Sequence, residues 1–563
     1  MKKIIADIFV VIFILISSDV YGAKYYIDYA TGSDANKGTS KSTPWKRAPG
    51  MLGSSGNVLA YETTHDKSGT TGAGDAFIFK GGVTWPNDCY SWIWRNGGGT
   101  GWTIGTDAVY FGVDSTWYTG GSWVRPIFDA EATDVSSNSK SSPATDNVMW
   151  RVYNASSGYI IIDNLEFKGM YHFDNNEDKM LNFDVGIGEI KNCYFHGWGH
   201  GAVYNDGPCN DLGDGKTYDI CNRWVGGDDA DEYCQSTFRV IATPYDDQQN
   251  DIRIHNCYID GSDSYPTSGD LGNAVKGYVR HFYNNYVTQV QNALTSNFCK
   301  YVWGNTFDSI AIKTDLVSNN HRNLYQSYSS ATIPETSYVF NNYVRDTYGG
   351  ATFLWYPLDL TVFIAFNNVV IGDYNKVMAL SSQYLTSNNA AGLFAFNNTL
   401  QLDASNEYAA IGGPETGNPA ETFFVKNNHL ISTKAGLQPN VDFVNQDTAT
   451  NLQHNNNAAT TAGYTNGSLY PYAPQSSDAL TVNTGTDLSS ISGILYNLDP
   501  SYPSVAFLSD ATLGVSIDTN NHTVSYPYRT PVKRSTWDIG AYRYFFLEPP
   551  NNLRVVIDSS KSQ

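Results

Sequence analysis

An apolar residue, any residue, asparagine, two further residues and a second apolar residue form a frame that recurs through the middle of the chain. It reads Ile162-Asp163-Asn164-Leu165-Glu166-Phe167 and then Ile190-Lys191-Asn192-Cys193-Tyr194-Phe195. It returns at Ile254/Asn256/Ile259, Phe282/Asn284/Val287, Val339/Asn341/Val344, Ala365/Asn367/Val370, Ala395/Asn397/Leu400 and Val425/Asn427/Leu430. Val302-Trp303-Gly304-Asn305-Thr306-Phe307 keeps the frame with glycine in the asparagine slot. The residue two before the slot is apolar in every copy, so strand alternation points it inward and sends the residue between them outward. Asparagine suits a corner there because it tolerates the left-handed backbone conformation and its amide can bond a neighbouring turn of chain.

Slots 164, 192, 256, 284, 304, 341, 367, 397 and 427 are separated by 28, 64, 28, 20, 37, 26, 30 and 30 residues. Most intervals fit one turn of a three-sided coil, and stacked coils would align the asparagines as a ladder with a spacing of about 4.8 Å. The 64-residue interval holds an insertion, placed at about 205–251, or a further coil. Another strand follows each corner, at His200–Asp206, Gly272–Tyr278, Gln291–Asn297 and His321–Ser327. Aligning Val203, Val275, Leu294 and Leu324 as inward residues puts these strands on consecutive coils. No amphipathic helical period competes with them, so the chain is predicted to be an all-β parallel solenoid with loop insertions.

Composition agrees. Aromatics reach 14%, with 40 Tyr and 13 Trp, beside 50 Gly and only 16% charged residues, as in a turn-rich β protein with a polar, uncharged surface. A net charge of −20 argues against nucleic acid or an anionic membrane as partner. It leaves room for an acidic polysaccharide held by a local basic cluster or by calcium. Lys2 and Lys3, the apolar run Phe9–Ile16 and Val20-Tyr21-Gly22 read as an export signal over 1–22, so the mature protein is expected outside the cytoplasm, secreted or periplasmic, with no membrane insertion after cleavage. Seven cysteines include Cys209, Cys221, Cys234 and Cys257 in one region, where one or two disulfides are expected; Cys193 and Cys257, at matching repeat positions, read alternatively as small buried hydrophobes.

The opening Tyr25–Asp34 with Gly38-Thr39-Ser40 and Pro44-Trp45, the run Gly74–Gly82 and the closing Trp537–Tyr542 resemble segments of the pectate-lyase-like right-handed β-helix superfamily. The resemblance implies a right-handed parallel β-helix over 23–546, followed by a tail at 547–563. That superfamily contains polysaccharide lyases, glycoside hydrolases, epimerases and adhesins, so it implies a fold and not a reaction.

On the aligned strands, His200, Tyr204, Asp206, Lys276, Tyr278, Thr295, Asn297, His321 and Tyr325 fall on one outward face. Cleavage of a uronate chain by β-elimination needs a base at C5, a cation for the carboxylate and an acid for the leaving oxygen. Lys276 suits base or neutraliser; His200, His321, Tyr204, Tyr325 and Asp206 suit proton transfer. Tyr278, Asn297, Arg322 and Trp355 are candidate substrate-binding residues. Hydrolysis would instead need a carboxylate pair, from Asp206, Asp260 and Asp263. A non-catalytic glycan-binding protein is the third reading. Asp228, Asp229 and Asp231 in the acidic insertion could hold Ca2+. The outward aromatics Tyr283, Trp303, Phe340, Phe366 and Phe396 are a sugar platform or, more simply, a patch buried under a loop or the C-terminal segment.

Overall fold

The computed structural model describes residues 22–68, 74–96, 108–134, 148–172, 179–200, 209–210, 217–218, 239–244, 251–262, 273–290, 292–296, 299–310, 323–328, 336–347, 349–356, 362–371, 374–380, 392–402, 411–412, 422–432, 441–442, 452–455, 473–474, 480–488, 514–527 and 537–542. Successive strands pair in parallel from Lys24–Ile27 on Ala76–Gly81 to His429–Ser432 on Leu452–Asn455. One long sheet collects two strands of each coil and a second sheet collects the third. This is a parallel β-helix, and its inward residues form one continuous core along the coil axis.

The coil containing Lys276 shows the construction. Strand Asn273–Lys276 ends at Gly277, whose φ of +119° and close approach to the Thr243 carbonyl admit no side chain, and the chain bends there into Val279–Tyr283. Asn284 then turns the chain with φ +53° into Tyr286–Thr288 on the other sheet. Each of the expected asparagine slots has a left-handed φ between 53° and 60°, and Gly304 has 66°. The apolar residues two before them are buried in every coil.

The ladder, however, sits one residue later than expected. Asn285, Asn305, Asn342, Asn368, Asn398 and Asn428 are buried, and each donates Nδ2 to the backbone carbonyl of an earlier coil, from Asn285 on Ile254 O at 2.9 Å to Asn428 on Ala395 O at 2.8 Å. The corner residue is chosen for its φ, and its successor points inward and carries the bonds. Cys193 and Cys257 occupy the same rungs in earlier coils, as free buried thiols facing Ile162 O and Ile190 O. Cys257 is therefore unpaired with Cys209, Cys221 or Cys234. The 64-residue interval is one coil with an insertion, because Asp251–His255 pairs directly with Ile187–Lys191.

One α-helix, Gly56–Ser68, was not legible as a periodic pattern; it packs Val58 and Tyr61 onto the first coil, with the Tyr61 hydroxyl donating to Asp75 at 2.7 Å. At the other end the C-terminal segments return along the outside. Leu488 and Trp537 pack on Phe340, Phe366 and Phe396. The antiparallel hairpin Val515–Asp518/Thr523–Pro527 packs on Tyr194, Tyr258 and Tyr286.

Candidate functional site

Three outward rows of the long sheet gather polar chemistry, one before the Gly277 bend and two after it. On the first strands, register places Arg151, Asn182, Ala242, Lys276, Thr295 and Gln326 in one row. Lys276 is half-buried between the small side chains of Ala242 and Thr295. On the second strands, Glu189, Arg253 and His281 form one row, and Asp163, Lys191, His255, Tyr283 and Trp303 another.

The second-strand rows form an ionic cluster. His255 Nε2 lies 2.6 Å from Glu189 Oε1, and Lys191 Nζ and the Tyr159 hydroxyl reach Glu189 Oε2 at 3.2 and 3.3 Å. His255 Nδ1 faces Asn256 Oδ1 at 2.9 Å, so both ring nitrogens meet an acceptor. Arg253 grips Asp251 with two bonds of 3.1 and 2.8 Å, and His281 Nε2 stands 3.5 Å from Asp251. Burial alone would raise Glu189, but the His255 bond and the charges of Lys191 and His255 outweigh it and hold the carboxyl at about 2. Burial opposes ionisation of Asp251 too, and the Arg253 bond with the charges of Arg253, His281 and Arg280 brings it below its ordinary value. Tyr159 is pushed up by burial and by Glu189.

The stripe of outward aromatics is not a sugar platform. Tyr283 and Trp303 are stacked at 4.8 Å, Phe340 and Phe366 at 4.8 Å, and Phe366 and Phe396 at 5.3 Å, with planes within 4°. Their faces are spent on one another along the coil axis, and the C-terminal segment covers the later rings. A pyranose needs a ring face, and the column offers edges.

Of the residues expected on one face, the structure keeps Lys276 and Thr295 outward and corrects several others. Tyr325, not Leu324, pairs with Leu294, so Tyr325 is inward and fully buried; its hydroxyl donates to Cys299 O at 3.2 Å and lies 3.2 Å from Ser337 Oγ. Tyr278 is buried at the bend, 2% exposed. The strand below Lys276 is Arg239–Ala242 and not His200–Asp206; Gly199–His200 pairs with Tyr171 and His172 on the other sheet. Asp260 is also on that sheet, buried under bonds from the Tyr258 hydroxyl and Ser262 N. Trp355 lies in strand Gly349–Tyr356, paired with Ser327 and Leu380. Tyr204, Asp206, Asp263, Asn297, His321, Arg322, Asp228, Asp229 and Asp231 lie outside the described residues. Among the described residues, no group of three His, Cys, Asp or Glu side chains is placed to hold a metal ion, and no helix is long and apolar enough to cross a membrane.

Glu189, Asp251, Arg253, His255 and His281 were missed as a cluster. The signal was available: each stands one or three residues before a corner asparagine, or five in the case of Asp251, which fixes an outward position once the coils are stacked.

No family model matches the chain, and no curated protein matches it. Among solved structures it is similar to the pectate lyase Pel9A at 13% identity and a TM-score of 0.37, over 94% of this chain and 98% of that one. It is also similar to the GH136 lacto-N-biosidase from Eubacterium ramulus at 10% identity and a TM-score of 0.32, over 72% of this chain and 68% of that one. The fold is read from the chain's own strand pairing, and the chemistry from its own residues.

Proposed function

We propose that this chain is a carbohydrate-active β-helix protein that cleaves a uronate-containing polysaccharide by β-elimination on the outer face of its long sheet. The observation that carries this reading is a concentration of basic groups in a chain of net charge −20. Lys191, Arg253, Arg280, His255 and His281 surround Glu189 and Asp251, and Lys276 stands five residues from His281 on the same coil. Such a patch attracts an extended polyanion locally while the rest of the surface repels nucleic acid and anionic lipid. Arg253 and Arg280 suit the substrate carboxylate, and Lys276 or a histidine suits proton abstraction.

Elimination is favoured over hydrolysis by the state of the carboxyls. Glu189 and Asp251 stand diagonally on adjacent strands, roughly 8 Å apart at Cα from strand geometry, and are a carboxylate pair on this face. A hydrolase needs one of its pair protonated near neutral pH. Both of these are held ionised by their cations.

The test is incubation of the purified protein with a panel of acidic and neutral glycans, with and without calcium, followed by absorbance of new C4=C5 double bonds. Unsaturated products from an acidic glycan support the reading. New reducing ends without unsaturation would replace it with hydrolysis, and binding without cleavage would make the protein a glycan-binding solenoid.

A further inference from the structure

The rungs of the inner ladder run from the apolar Leu165 through two thiols to asparagine. Cys193 and Cys257 fill two successive rungs; from Asn285 onward the rungs are Asn285, Asn305, Asn342, Asn368, Asn398 and Asn428. The two cysteines bracket the 64-residue coil, while the coils between later rungs take 20 to 37 residues. The coil with the longest excursion is thus the one with a thiol at both of its ends. A covalent link stabilises most where the loop it closes is longest.

The geometry permits that link. Tyr194 pairs in register with Tyr258, so the preceding cysteines sit on adjacent coils, with Cα atoms about one strand spacing, ~4.8 Å, apart. That lies inside the range of about 4.4–6.8 Å that disulfides span. Both side chains are fully buried and point the same way, each thiol facing the backbone carbonyl of the preceding coil, Cys193 Sγ at 3.8 Å from Ile162 O and Cys257 Sγ at 3.7 Å from Ile190 O. Arg125 Nε and Nη2 hold the Asn192 carbonyl beside them at 3.3 and 3.2 Å, which fixes the corner.

We propose that Cys193 and Cys257 are a modification site: when the chain folds in the presence of a small-molecule or protein disulfide, they close a cross-link between adjacent coils. The two thiols pass two electrons to the oxidant's S–S bond. One S–S bond forms between Cys193 and Cys257, the oxidant's bond breaks, and the two protons end on its two sulfurs as thiols. Burial pushes the Cys257 thiol well above its ordinary value, so the folded thiol is a poor nucleophile. The exchange therefore belongs to folding, before the coil seals, and the finished bond resists reductant until the protein is unfolded.

The test uses the full chain refolded with a mixture of oxidised and reduced glutathione. After alkylation in denaturant without reductant, the peptides carrying Cys193 and Cys257 are expected as one disulfide-linked pair in mass spectrometry, separable only after reduction. Both cysteines recovered alkylated, or either joined to Cys89, Cys209, Cys221, Cys234 or Cys299, overturns the proposal. As a second readout, reduction under denaturing conditions followed by refolding without oxidant is expected to lower Tm in the native sequence and to leave Cys193→Ser and Cys257→Ser unchanged. An equal Tm for oxidised and reduced native protein overturns it as well.

Discussion

Asn342 and Asn368 stand one coil apart with their carboxamides joined: Asn342 Nδ2 donates to Asn368 Oδ1 at 3.0 Å, and Asn342 N donates to the same oxygen at 3.2 Å. Asn368 Nδ2 in turn reaches Val339 O at 2.9 Å and Asn398 Oδ1 at 3.0 Å. Every one of these groups is out of reach of water. Asn368→Ala strips the partner from several buried polar groups, at about 1–3 kcal/mol for each one left unsatisfied. The expected loss is about 3 kcal/mol or more, read as a drop in urea midpoint. Asn368→Cys is expected to cost less, since Cys193 and Cys257 fill equivalent rungs with a single donor.

The neighbouring corner position makes a different demand. Asn397 has φ +54°, and its own carboxamide atoms make no hydrogen bond, so the backbone conformation is what the site requires. Asn397→Gly is therefore expected to leave stability nearly unchanged, as Gly304 does naturally at φ +66°. Asn397→Val should cost roughly 1–2 kcal/mol or more, because a β-branched residue is strained in the left-handed region. Equal melting temperatures for the two variants would contradict this division of labour between corner and rung.

These two positions show what could be read in advance. The apolar residue two before each slot is a strict requirement of the core, so the frame from Ile162 to Val425 stands out in sequence and gives the coil register. The rung does not stand out, because Asn341-Asn342, Asn367-Asn368, Asn397-Asn398 and Asn427-Asn428 are pairs and either member could turn or bond. Leu324-Tyr325 poses the same difficulty: both are apolar enough to face inward, and the tertiary pairing with Leu294 settles it for Tyr325. The cluster around Glu189 stayed hidden for another reason. An outward Glu, Lys, Arg or His on a strand looks like a solvated face until the stacking order is known, and that order spans the 64 residues from Asn192 to Asn256.

Burial of Tyr325 separates structure from chemistry at a residue that sequence placed in the active face. Tyr325→Phe removes a hydroxyl shared among Cys299 N, Cys299 O and Ser337 Oγ while keeping the ring in the core. The expected loss is about 1–2 kcal/mol of stability. At temperatures well below Tm, glycan binding and turnover should match the native protein; a selective loss of turnover would return Tyr325 to the reaction.

On the outer face the expectation is reversed. Lys276 stands in register between Ala242 and Thr295 and is half-buried, and Lys276→Met keeps the length of its apolar stem, so the variant should still fold, with a stability change of about 1 kcal/mol read from the urea midpoint. Turnover of an acidic glycan should fall by ~10²-fold or more if the ammonium takes part in proton transfer. Arg253→Ala should act mainly on binding, raising KM and flattening its dependence on salt concentration. A Lys276→Met enzyme with native turnover would move the reaction away from the first-strand row.

The pH dependence of stability follows from Glu189. Its carboxyl ionises at about 2 in the folded chain, against an ordinary value of 4.5, because His255 and Lys191 hold the anion. A depressed folded value means that the stabilisation is fully present above pH 4.5 and is lost as pH falls from there through about 2. The side chain is only 15% exposed, so a shift of this size corresponds to a contribution on the order of 3 kcal/mol. Glu189→Gln keeps the shape and removes the titration. Urea midpoints measured from pH 6 to pH 2 should therefore fall less steeply for Glu189→Gln than for the native chain across that window, and the two curves should converge at the acid end, where the native carboxyl is itself neutral. Parallel curves would mean that Glu189 is no better held in the folded chain than in the unfolded one, and the His255–Glu189 pair could not then be the anchor of the basic face.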